Sequence, residues 1–307
     1  MKKDDFANWT GYQIYPKSFK DSNGDGMGDL QGIIEKLPYL KDLGIDFIWL
    51  NPIYTSPQVD GGYDIADFYS IDARFGSLED LKELLQKAHD NGLKVIMDLV
   101  VNHTSDQHPW FIESQKSKDN PYRDYYHWAD ATPEKMPNDW QSFFGGSTWT
   151  YDEQTQQAYF HVFAKEQPDL NWKNPQVRQE IYTMIKWWLE LGIDGFRLDA
   201  ISHIQKEDWS FNIKSLRGND PWQPFMNVSG IENYMADLKE IFDQSDALTV
   251  GEASGVTSTE APDWTDARSG YLKMIFELEH NVRQKNYAGR GWMYGYKKTI
   301  IRWQKDM

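Results

Sequence analysis

The chain contains no cysteine, and this absence removes two classes of structure at once. Disulfide bonds and thiolate metal sites are excluded over all 307 residues. The sequence also lacks an apolar run of the roughly 18 residues that a membrane helix needs, and no basic-then-apolar leader opens it. We therefore expect a globular, cytoplasmic protein with no membrane partner.

Basic residues are few compared with acidic ones. The chain has 32 Lys and Arg against 47 Asp and Glu, which gives a net charge of -15. A surface of this sign repels phosphate groups, so nucleic acid and anionic membranes are unfavourable partners. Aromatic residues, in contrast, are abundant, with 14 Trp and 17 Tyr. Most of these rings belong to an ordinary core, but some are suited to packing on the flat C–H faces of a sugar.

Short apolar segments alternate with amphipathic helical segments along most of the chain. Ser77 and Asn174 are good helix caps, and each precedes a stripe of apolar residues at helical spacing. This alternation predicts a parallel sheet, and acids at strand ends favour a (β/α)8 barrel of the TIM type. The predicted strands cover residues 11–15, 47–50, 94–100, 195–200, 248–252 and 272–277.

One interval breaks this rhythm. Residues 105–170 are rich in polar and aromatic side chains and contain several prolines, without a clear repeat of helix and strand. Such a length is unusual for a loop between a strand and a helix, so we expect an inserted subdomain over the barrel mouth. The predicted barrel then consists of residues 1–104 and 171–307.

The segment Gly195-Phe196-Arg197-Leu198-Asp199-Ala200 carries the clearest chemical signal. Alternation along a strand places Arg197 and Asp199 on one face. A cation there would hold Asp199 ionised at neutral pH, as a carboxylate nucleophile requires. Glu252 ends a second apolar segment, Leu248-Thr249-Val250-Gly251-Glu252. Two strands that each end in an acid indicate a two-carboxylate site for glycoside hydrolysis.

Four segments together resemble the signature segments of the α-amylase family of retaining glycosidases, in its oligo-1,6-glucosidase and α-glucosidase branch. They are Asp98-Leu99-Val100-Val101-Asn102-His103, Gln167-Pro168-Asp169-Leu170-Asn171, Gly195-Phe196-Arg197-Leu198-Asp199 and Gly251-Glu252, in the family's order. The resemblance implies a barrel with a subdomain inserted after its third strand. It also implies that Asp199 is the nucleophile and Glu252 the proton donor that later activates water.

The same resemblance implies a sugar-binding role for further residues. His103 would donate a hydrogen bond to bound glucose, Arg197 would lie beside the nucleophile, and Asp98 would support them. Tyr63 and Asp64, in Gly61-Gly62-Tyr63-Asp64-Ile65, resemble the family's sugar platform and the acid that grips the hydroxyls of the non-reducing end. The alternative for this segment is an ordinary turn at the glycine pair.

Ala200 and His203 bear on the linkage that is cut. In the family, the residue after the nucleophile faces the leaving group, and relatives that cut α-1,6 bonds usually carry Val there. This chain has the smaller Ala200, with His203 on the next turn. That pattern resembles branch members that prefer α-1,4 bonds, although one or two methyl groups shift such a preference by only about 1 to 3 kcal/mol.

Residues 21–29 place oxygen-bearing side chains at alternate positions, with glycine at the sixth, as an EF-hand loop does. Gly32 stands where an EF-hand has its twelfth-position glutamate, so a true EF-hand is disfavoured. The family resemblance implies a structural Ca²⁺, sometimes Mg²⁺, at this loop, and an empty polar turn is the alternative. The implied ligands are Asp21, Asn23, Asp25, Asp29 and the carbonyl of Met27.

Only six strands of a barrel can be counted in the sequence. The family's signature His-Asp pair at the end of a seventh strand, which includes a third catalytic carboxylate, is not found. We therefore expect a barrel truncated after about six strands, an N-terminal fragment of the family's fold, whose own activity is in doubt because the third acid is missing.

The function expected from the sequence is an exo-acting retaining α-glucosidase that releases glucose from short α-glucosides, with α-1,4 bonds preferred. An oligo-1,6-glucosidase and a transglucosylase on the same scaffold are the alternatives. A non-catalytic relative, such as an amino-acid transporter heavy chain, has a membrane span and lacks the acids, whereas this chain has both acids. The expected partner is a small oligosaccharide, and we expect the full-length protein to be a monomer.

Overall fold

A parallel β-sheet forms the centre of the computed structural model, which describes residues 6–213, 221–282 and 291–306. In chain order the strands are β1 (Gly11–Ile14), β2 (Phe47–Leu50), β3 (Tyr54–Thr55), β4 (Asp67–Ile71), β5 (Lys94–Val100), β6 (Trp128–Asp130), β7 (Trp149–Asp152), β8 (Gln157–Phe160), β9 (Gly195–Asp199), β10 (Leu248–Gly251) and β11 (Met274–Ile275). The central sheet has six strands in the order β1-β2-β5-β9-β10-β11, and all of its neighbours are parallel.

Helices cover the connections between these strands. In chain order they are α1 (Pro16–Phe19), α2 (Leu30–Asp42), α3 (Leu78–Asp90), α4 (Pro109–Ser114), α5 (Pro175–Leu191), α6 (Ile231–Gln244), α7 (Ala261–Thr265), α8 (Glu279–Val282) and α9 (Gly291–Asp306). The six-stranded, helix-covered parallel sheet confirms the prediction of a barrel-type fold. Its sixth strand is shorter than predicted, since only Met274–Ile275 pairs with β10.

Local sequence explains where helix α3 begins and where helix α5 begins and ends. Ser77 caps α3 in a reciprocal capping box with Asp80. Asn174 accepts a hydrogen bond from the backbone of Gln176 at the start of α5, and Gly192 ends that helix with a φ of 115°. Glycine adopts this left-handed conformation without the steric penalty that a Cβ brings.

The interval at residues 105–170 has its own small sheet. Strands β6, β8 and β7 are antiparallel, with β8 in the middle. Helix α4 precedes them, and a 3₁₀ turn at Arg123–Tyr125 lies between α4 and β6. A second antiparallel pair, β3 and β4, which the sequence did not predict, lies between β2 and α3.

Strand register brings the chemical groups to one edge of the central sheet. In the β5–β9 pair, Asp98 lies opposite Arg197 and Val100 opposite Asp199. In the β9–β10 pair, Gly251 lies opposite Leu198, so that Glu252 directly follows the paired residues. The carboxyl ends of parallel strands share an edge, as expected for an active site in this architecture.

Within the described residues, no helix combines the length and the apolar character needed to cross a membrane.

Candidate active site

Arg197 is the centre of a cluster of three carboxylates. Its Nη1 donates to Asp98 Oδ1 at 2.7 Å and to Asp199 Oδ1 at 2.5 Å, and its Nη2 donates to Glu252 Oε2 at 2.8 Å. Only 9% of the Arg197 side chain is exposed. The planar fork of a guanidinium fixes its partners in direction as well as distance, so Arg197 holds the two predicted catalytic acids close together.

The two predicted catalytic acids differ in exposure. The side chain of Asp199 is 10% exposed, and that of Glu252 is 31% exposed. The backbone N–H of Ala200 donates a second hydrogen bond to Glu252 Oε2 at 3.1 Å. Asp199 is therefore enclosed at the floor of the site, whereas Glu252 is within reach of solvent.

The charge balance of this cluster differs from the sequence expectation. Burial raises the pKa of Asp199 well above its ordinary value; the neighbouring Glu252 and Asp98 carboxylates act in the same direction, and Arg197 opposes them. Burial also raises the pKa of Asp98 to about 6, against the opposing pull of Arg197. One guanidinium faces two buried carboxylates and a partly exposed one, and the pKa of Asp199 is raised despite it, contrary to the expectation that a cation there would hold Asp199 ionised.

A cavity of about 550 Å³ opens above the cluster. Seven of the eight residues predicted as catalytic or substrate-binding line it, together with others described below. The seven are Tyr63, His103, Arg197, Asp199, Ala200, His203 and Glu252. Volumes of this order are typical of small-molecule sites. The sequence had placed these residues in separate segments, and the fold brings them to one cavity.

Asp64 is the predicted site residue that the structure does not bring to the cavity. Its side chain is completely buried and accepts hydrogen bonds from the backbone N–H groups of Val59 at 2.8 Å and Asp60 at 3.0 Å. Asp60 lines the cavity instead. The sequence singled out Asp64 and not Asp60, because a buried carboxylate and a cavity carboxylate have the same sequence signal when both lie beside one glycine turn.

Tyr63 connects the cavity wall to the carboxylate cluster. Its hydroxyl donates to Asp98 Oδ2 at 3.3 Å and accepts from Asn51 Nδ2 at 3.0 Å. The guanidinium of Arg197 lies 5.7 Å from the centre of the Tyr63 ring. Burial raises the pKa of Tyr63, with the Asp98 charge adding to the effect, so the hydroxyl stays protonated. The ring is therefore a fixed, uncharged surface beside the acids.

Aromatic residues of the interval 105–170 form part of the cavity wall, and no sequence motif marks them. Phe143, Phe144 and Phe163 line the cavity. Phe143 stacks on Phe163, with ring centres 5.6 Å apart and planes 19° apart, and also on Trp222. Their only sequence signal was the high aromatic content of that interval. Leu278 and Asn281, in and beside α8, complete the lining.

His203 packs edge-on against Phe143 and Phe163, with ring centres 5.1 and 6.1 Å apart. Its Nδ1 lies 2.6 Å from the carbonyl oxygen of Phe225, which can only accept, so Nδ1 carries the proton. Burial lowers the pKa of His203 to about 4. The ring is therefore neutral at neutral pH.

The loop at residues 21–29 contains several side-chain oxygens that could bind a metal ion, but many of them already accept hydrogen bonds within the loop. Asp21 accepts backbone hydrogen bonds from Asn23, Gly24 and Gly26. These hydrogen bonds lower the pKa of Asp21 and keep it anionic, and the bond from Gly26 has the largest effect. Asp29 accepts from Ser22 and caps α2 through the N–H of Gly32.

The described residues contain no group of three His, Cys, Asp or Glu side chains arranged to hold a metal. The donor chemistry of Asp21, Asn23 and Asp25 nevertheless suits a hard cation, which prefers carboxylate and amide oxygens. Among the predicted ligands, Asp29 differs because both of its carboxylate oxygens already accept hydrogen bonds, one of them as the cap of α2.

The chain is similar to known proteins over most of its length. The model of the alpha-amylase catalytic domain matches residues 13–307. A probable oligo-1,6-glucosidase 3 of Bacillus subtilis is 52% identical over 284 residues, which cover 91% of this chain and 51% of that protein. An alpha-glucosidase of Pediococcus pentosaceus is 48% identical over 305 residues, covering 95% of this chain and 54% of that protein.

Solved structures give the same assignment. A trehalose-6-phosphate hydrolase of Bacillus licheniformis superposes with a TM-score of 0.88 at 42% identity, over 97% of this chain and 55% of that one. A trehalulose synthase of Pseudomonas mesoacidophila superposes with a TM-score of 0.90 at 39% identity, over the same shares. The chain spans about half the length of the curated relatives it matches. By sequence and by fold, this chain belongs to the alpha-amylase family and carries residues of its catalytic domain.

Proposed function

We propose that this chain supplies the catalytic acids of an exo-acting, retaining α-glucosidase that releases glucose from the non-reducing end of short α-glucosides. The observation that carries the proposal is the single guanidinium of Arg197, which binds both Asp199 and Glu252 at the floor of the cavity. A retaining mechanism needs its two carboxyl groups at a short separation, about 5 Å, and one shared guanidinium is suited to hold them so.

In the first step, a carboxylate oxygen of Asp199 attacks the anomeric carbon of the bound glucose. The bond from that carbon to the leaving oxygen breaks, and Glu252 gives its proton to that oxygen. Both described hydrogen bonds of Glu252 fall on Oε2, so Oε1 is the oxygen that transfers the proton in this proposal. In the second step, water gives a proton to Glu252 and attacks the same carbon, which releases Asp199 and α-glucose.

The raised pKa of Asp199 is compatible with this scheme if Glu252 is protonated when the nucleophile acts. The unliganded site has three carboxylates around one cation, so it favours retention of a proton. Protonated Glu252, which the first step requires, removes one of the charges that raise the pKa of Asp199. Arg197 then has fewer anions to balance and favours ionised Asp199.

On linkage, we propose a preference for α-1,4 bonds, because the small side chain of Ala200 lines the cavity next to the nucleophile. The second candidate is an oligo-1,6-glucosidase, since several of the most similar relatives bear that name. A transglucosylase is the third, since solved relatives include a trehalulose synthase. In that reaction, a sugar hydroxyl replaces water in the second step.

We also propose that residues 21–29 bind a structural Ca²⁺ or Mg²⁺ ion through Asp21, Asn23 and Asp25, with the carbonyl of Met27 and, after rearrangement, Asp29. A hard cation would balance exposed anions in a loop that joins α1 to α2. It would stabilise the barrel rather than take part in the proposed chemistry.

The test uses a chimera in which residues 1–307 are followed by the part of the Bacillus subtilis relative that lies beyond the aligned segment. The chimera should release α-glucose from maltose first, as followed by NMR of the fresh product. Asp199→Asn should reduce turnover to background, while the matched change Asp130→Asn, at an exposed site, should leave it unchanged. β-Glucose as the first product, or an active Asp199→Asn variant, would contradict the proposal.

Residues 1–307 alone are the second arm of this test. The family's third carboxylate stabilises the transition state, and loss of one such group typically costs factors of about 100 to 1,000. We therefore expect the isolated chain to be far less active on an aryl α-glucoside than the chimera. Equal activity of the two would show that the described residues already contain every group the reaction needs.

A further inference from the structure

Lys206 is a buried lysine that the proposed reaction does not use. Its side chain is 1% exposed, and its ammonium lies 2.8 Å from Asp169 Oδ2, whose side chain is completely buried. The same ammonium donates to Asn102 Oδ1 at 2.9 Å. Removing a lysine from water is costly, so a site that buries one needs specific compensation. Here, the compensation joins three separate segments of the chain behind the cavity wall.

These contacts determine which way the amide of Asn102 faces. An ammonium only donates, so the atom 2.9 Å from Lys206 must be the amide oxygen. Asp169 Oδ2 lies 3.1 Å from the other amide atom, which must then be the nitrogen that donates to it. The Lys206–Asp169 ion pair thus presents a donor to one side of the amide and an acceptor to the other. A flipped amide would lose both hydrogen bonds.

The oriented amide faces the neighbouring imidazole. Asn102 Nδ2 lies 3.3 Å from His103 Nδ1, so it favours an unprotonated Nδ1 and a proton on Nε2. The carbonyl oxygen of Tyr63, 3.1 Å from His103 Nε2, favours the same tautomer because it only accepts. Burial lowers the pKa of His103, so the neutral ring is the relevant form.

Gln167 acts in the opposite direction. Its Oε1 accepts from the backbone N–H of Ala164 and its Nε2 donates to Asp60, which orients the side chain. That same Nε2 lies 3.1 Å from His103 Nε2 and would favour an unprotonated Nε2. The two tautomers of His103 are therefore in competition, and the orientation of Asn102 is one of the groups that decide between them.

We propose that Lys206 is a positioning residue: with Asp169, it orients the amide of Asn102 so that His103 carries its proton on Nε2. His103 lines the cavity, so in this tautomer a sugar oxygen that approaches Nε2 would share or take over the N–H that the carbonyl of Tyr63 accepts. Only that consequence rests on the proposed function. The tautomer itself is a property of the chain without substrate.

The experiment records the ¹⁵N signals of His103 in the 307-residue chain labelled at histidine, near pH 7, with His103→Gln to assign them. We expect the wild type to show a protonated Nε2 and a bare Nδ1. Asn102→Asp replaces the nitrogen that faces Nδ1 with an acceptor oxygen, so a proton should appear on Nδ1. Lys206→Met should give a mixture of tautomers, because Asp169 then lacks its counterion and the amide loses one of its two orienting partners.

Lys206→Arg, which keeps the charge and the donors, should preserve the wild-type pattern, and Lys173→Met, at an exposed lysine, is the matched control. A wild type protonated on Nδ1 overturns the proposal without any variant, even if Asn102→Asp or Lys206→Met fails to fold. A folded Lys206→Met variant with an unchanged pure tautomer also overturns it. The NMR result stands whatever the activity of the chimera, so failure of the proposed function is recognised separately.

Discussion

The central sheet and the inserted interval at residues 105–170 have cores of different chemistry. The sheet and its helices bury mainly branched aliphatic side chains, such as Ile48, Leu50, Val95 and Leu99. The core that the inserted interval shares with the loop after β9 is mainly aromatic, with Trp140, Trp149, Phe160 and Phe225 at its centre. Both regions contribute to one cavity, where the strand ends bring charged groups such as Arg197 and Glu252 and the interval at residues 105–170 brings aromatic rings.

This difference has physical consequences. Aliphatic side chains have no polar atoms to satisfy and do not titrate, so the pH response of the sheet comes from the few ionisable groups in β5 and β9, such as Asp98 and Asp199. The aromatic core depends on directional bonds. Trp140 Nε1 donates to the carbonyl of Phe211 at 3.0 Å, and Trp149 Nε1 donates to Asn138 at 3.0 Å. The sheet thus holds charge in fixed positions, whereas the aromatic core depends on indole hydrogen bonds that truncation of a side chain can break.

Two buried arginines make the comparison testable, and they should give the largest effects. Arg197 in the sheet binds three carboxylates, whereas Arg123 in the inserted interval donates to the neutral acceptors Ser114, Thr155 and Gln157 and lies 3.4 Å from the ring of Trp128. Arg197→Met should destabilise by about 3 to 5 kcal/mol, because it leaves buried anions without a cation. Arg123→Met should cost about 1 to 3 kcal/mol, since only neutral acceptors lose their donor.

Urea unfolding of the chain measures both free energies, and chimeras measure turnover. Arg197→Met should abolish turnover, whereas Arg123→Met should preserve most of it in a folded chimera. The orphaned acids provide an internal check, because the loss in Arg197→Met should shrink at low pH, where they become protonated. Equal losses for the two variants at every pH would contradict the difference between the regions.

Acidification should affect the two regions in opposite directions. Burial lowers the pKa of His108, at the start of the inserted interval, to about 4, and it also lowers the pKa of His127 and His161 within that interval. Below about pH 6.5 the unfolded chain binds protons that these folded sites refuse, so stability is lost as the pH falls. Burial raises the pKa of Asp98 to about 6, so the folded state holds this proton more tightly than the unfolded chain does. The stability that this proton contributes is therefore lost as the pH rises from about 4 to 6.

The inserted interval should therefore loosen before the sheet when the pH falls. The difference in tryptophan emission between the chain and its Trp149→Phe variant reports the aromatic core, because other tryptophans, such as Trp188, lie in the core of the sheet and its helices. Far-UV circular dichroism reports the helices and the sheet. We expect the emission change at a higher pH than the dichroism change. His161→Gln should move the emission change to lower pH, and His89→Gln, outside the inserted interval, is the control. Coincident transitions in all variants would show that the two regions unfold as one unit.

The proposed cation at residues 21–29 should stabilise the barrel by a smaller amount. A ligand present at about 100 times its dissociation constant adds roughly 2.7 kcal/mol. Excess EDTA should therefore lower the melting temperature by several degrees, and Asp25→Asn should remove this sensitivity, with Asp130→Asn as the control. No change in melting temperature with EDTA, together with no metal in elemental analysis, would eliminate the site.

The sequence predicted the barrel elements well because their signals are local. The capped helix α3 and the strands β2 and β5 depend on periodicity and on capping residues within a few positions, and β2 and β5 have the predicted bounds. The antiparallel sheet at residues 105–170 depends on pairing between short strands, such as Trp128 with Tyr159, and no local period announces it.

The candidate site shows the same division. Asp199, Arg197 and Glu252 follow from strand ends, because parallel strands must bring those ends together. Asp60 and Asp64 are four residues apart on one turn, and which of them faces the cavity depends on backbone N–H groups that close around Asp64. The aromatic wall at Phe143 and Phe163 was not foreseen, since a buried ring and a cavity ring have the same sequence signal.

The smallest predicted effect concerns which region of the molecule determines the linkage preference. Ala200 follows the sheet strand β9, and Phe144, which is 60% exposed, lines the cavity from the inserted interval. In the chimera we expect a higher kcat/KM for maltose than for isomaltose. Ala200→Val should reduce or reverse that ratio by about 1 to 3 kcal/mol, roughly 10- to 200-fold. Phe144→Leu should change it much less.

The backbone at Ala200 makes the ratio, rather than either rate, the decisive quantity. Ala200 has a φ of 44°, in the left-handed region that a β-branched side chain strongly disfavours. Ala200→Val is therefore expected to strain the turn that also donates to Glu252, and this strain lowers both rates. A cost in the free enzyme is common to both substrates and cancels in the ratio, so a change in the ratio reports the added methyl groups. Ala200→Gly, which relieves the φ without adding volume, should retain the preference for maltose. If Ala200→Val lowers both rates equally, or if Phe144→Leu shifts the ratio more, then the inserted interval sets the preference and the sheet contributes only the acids.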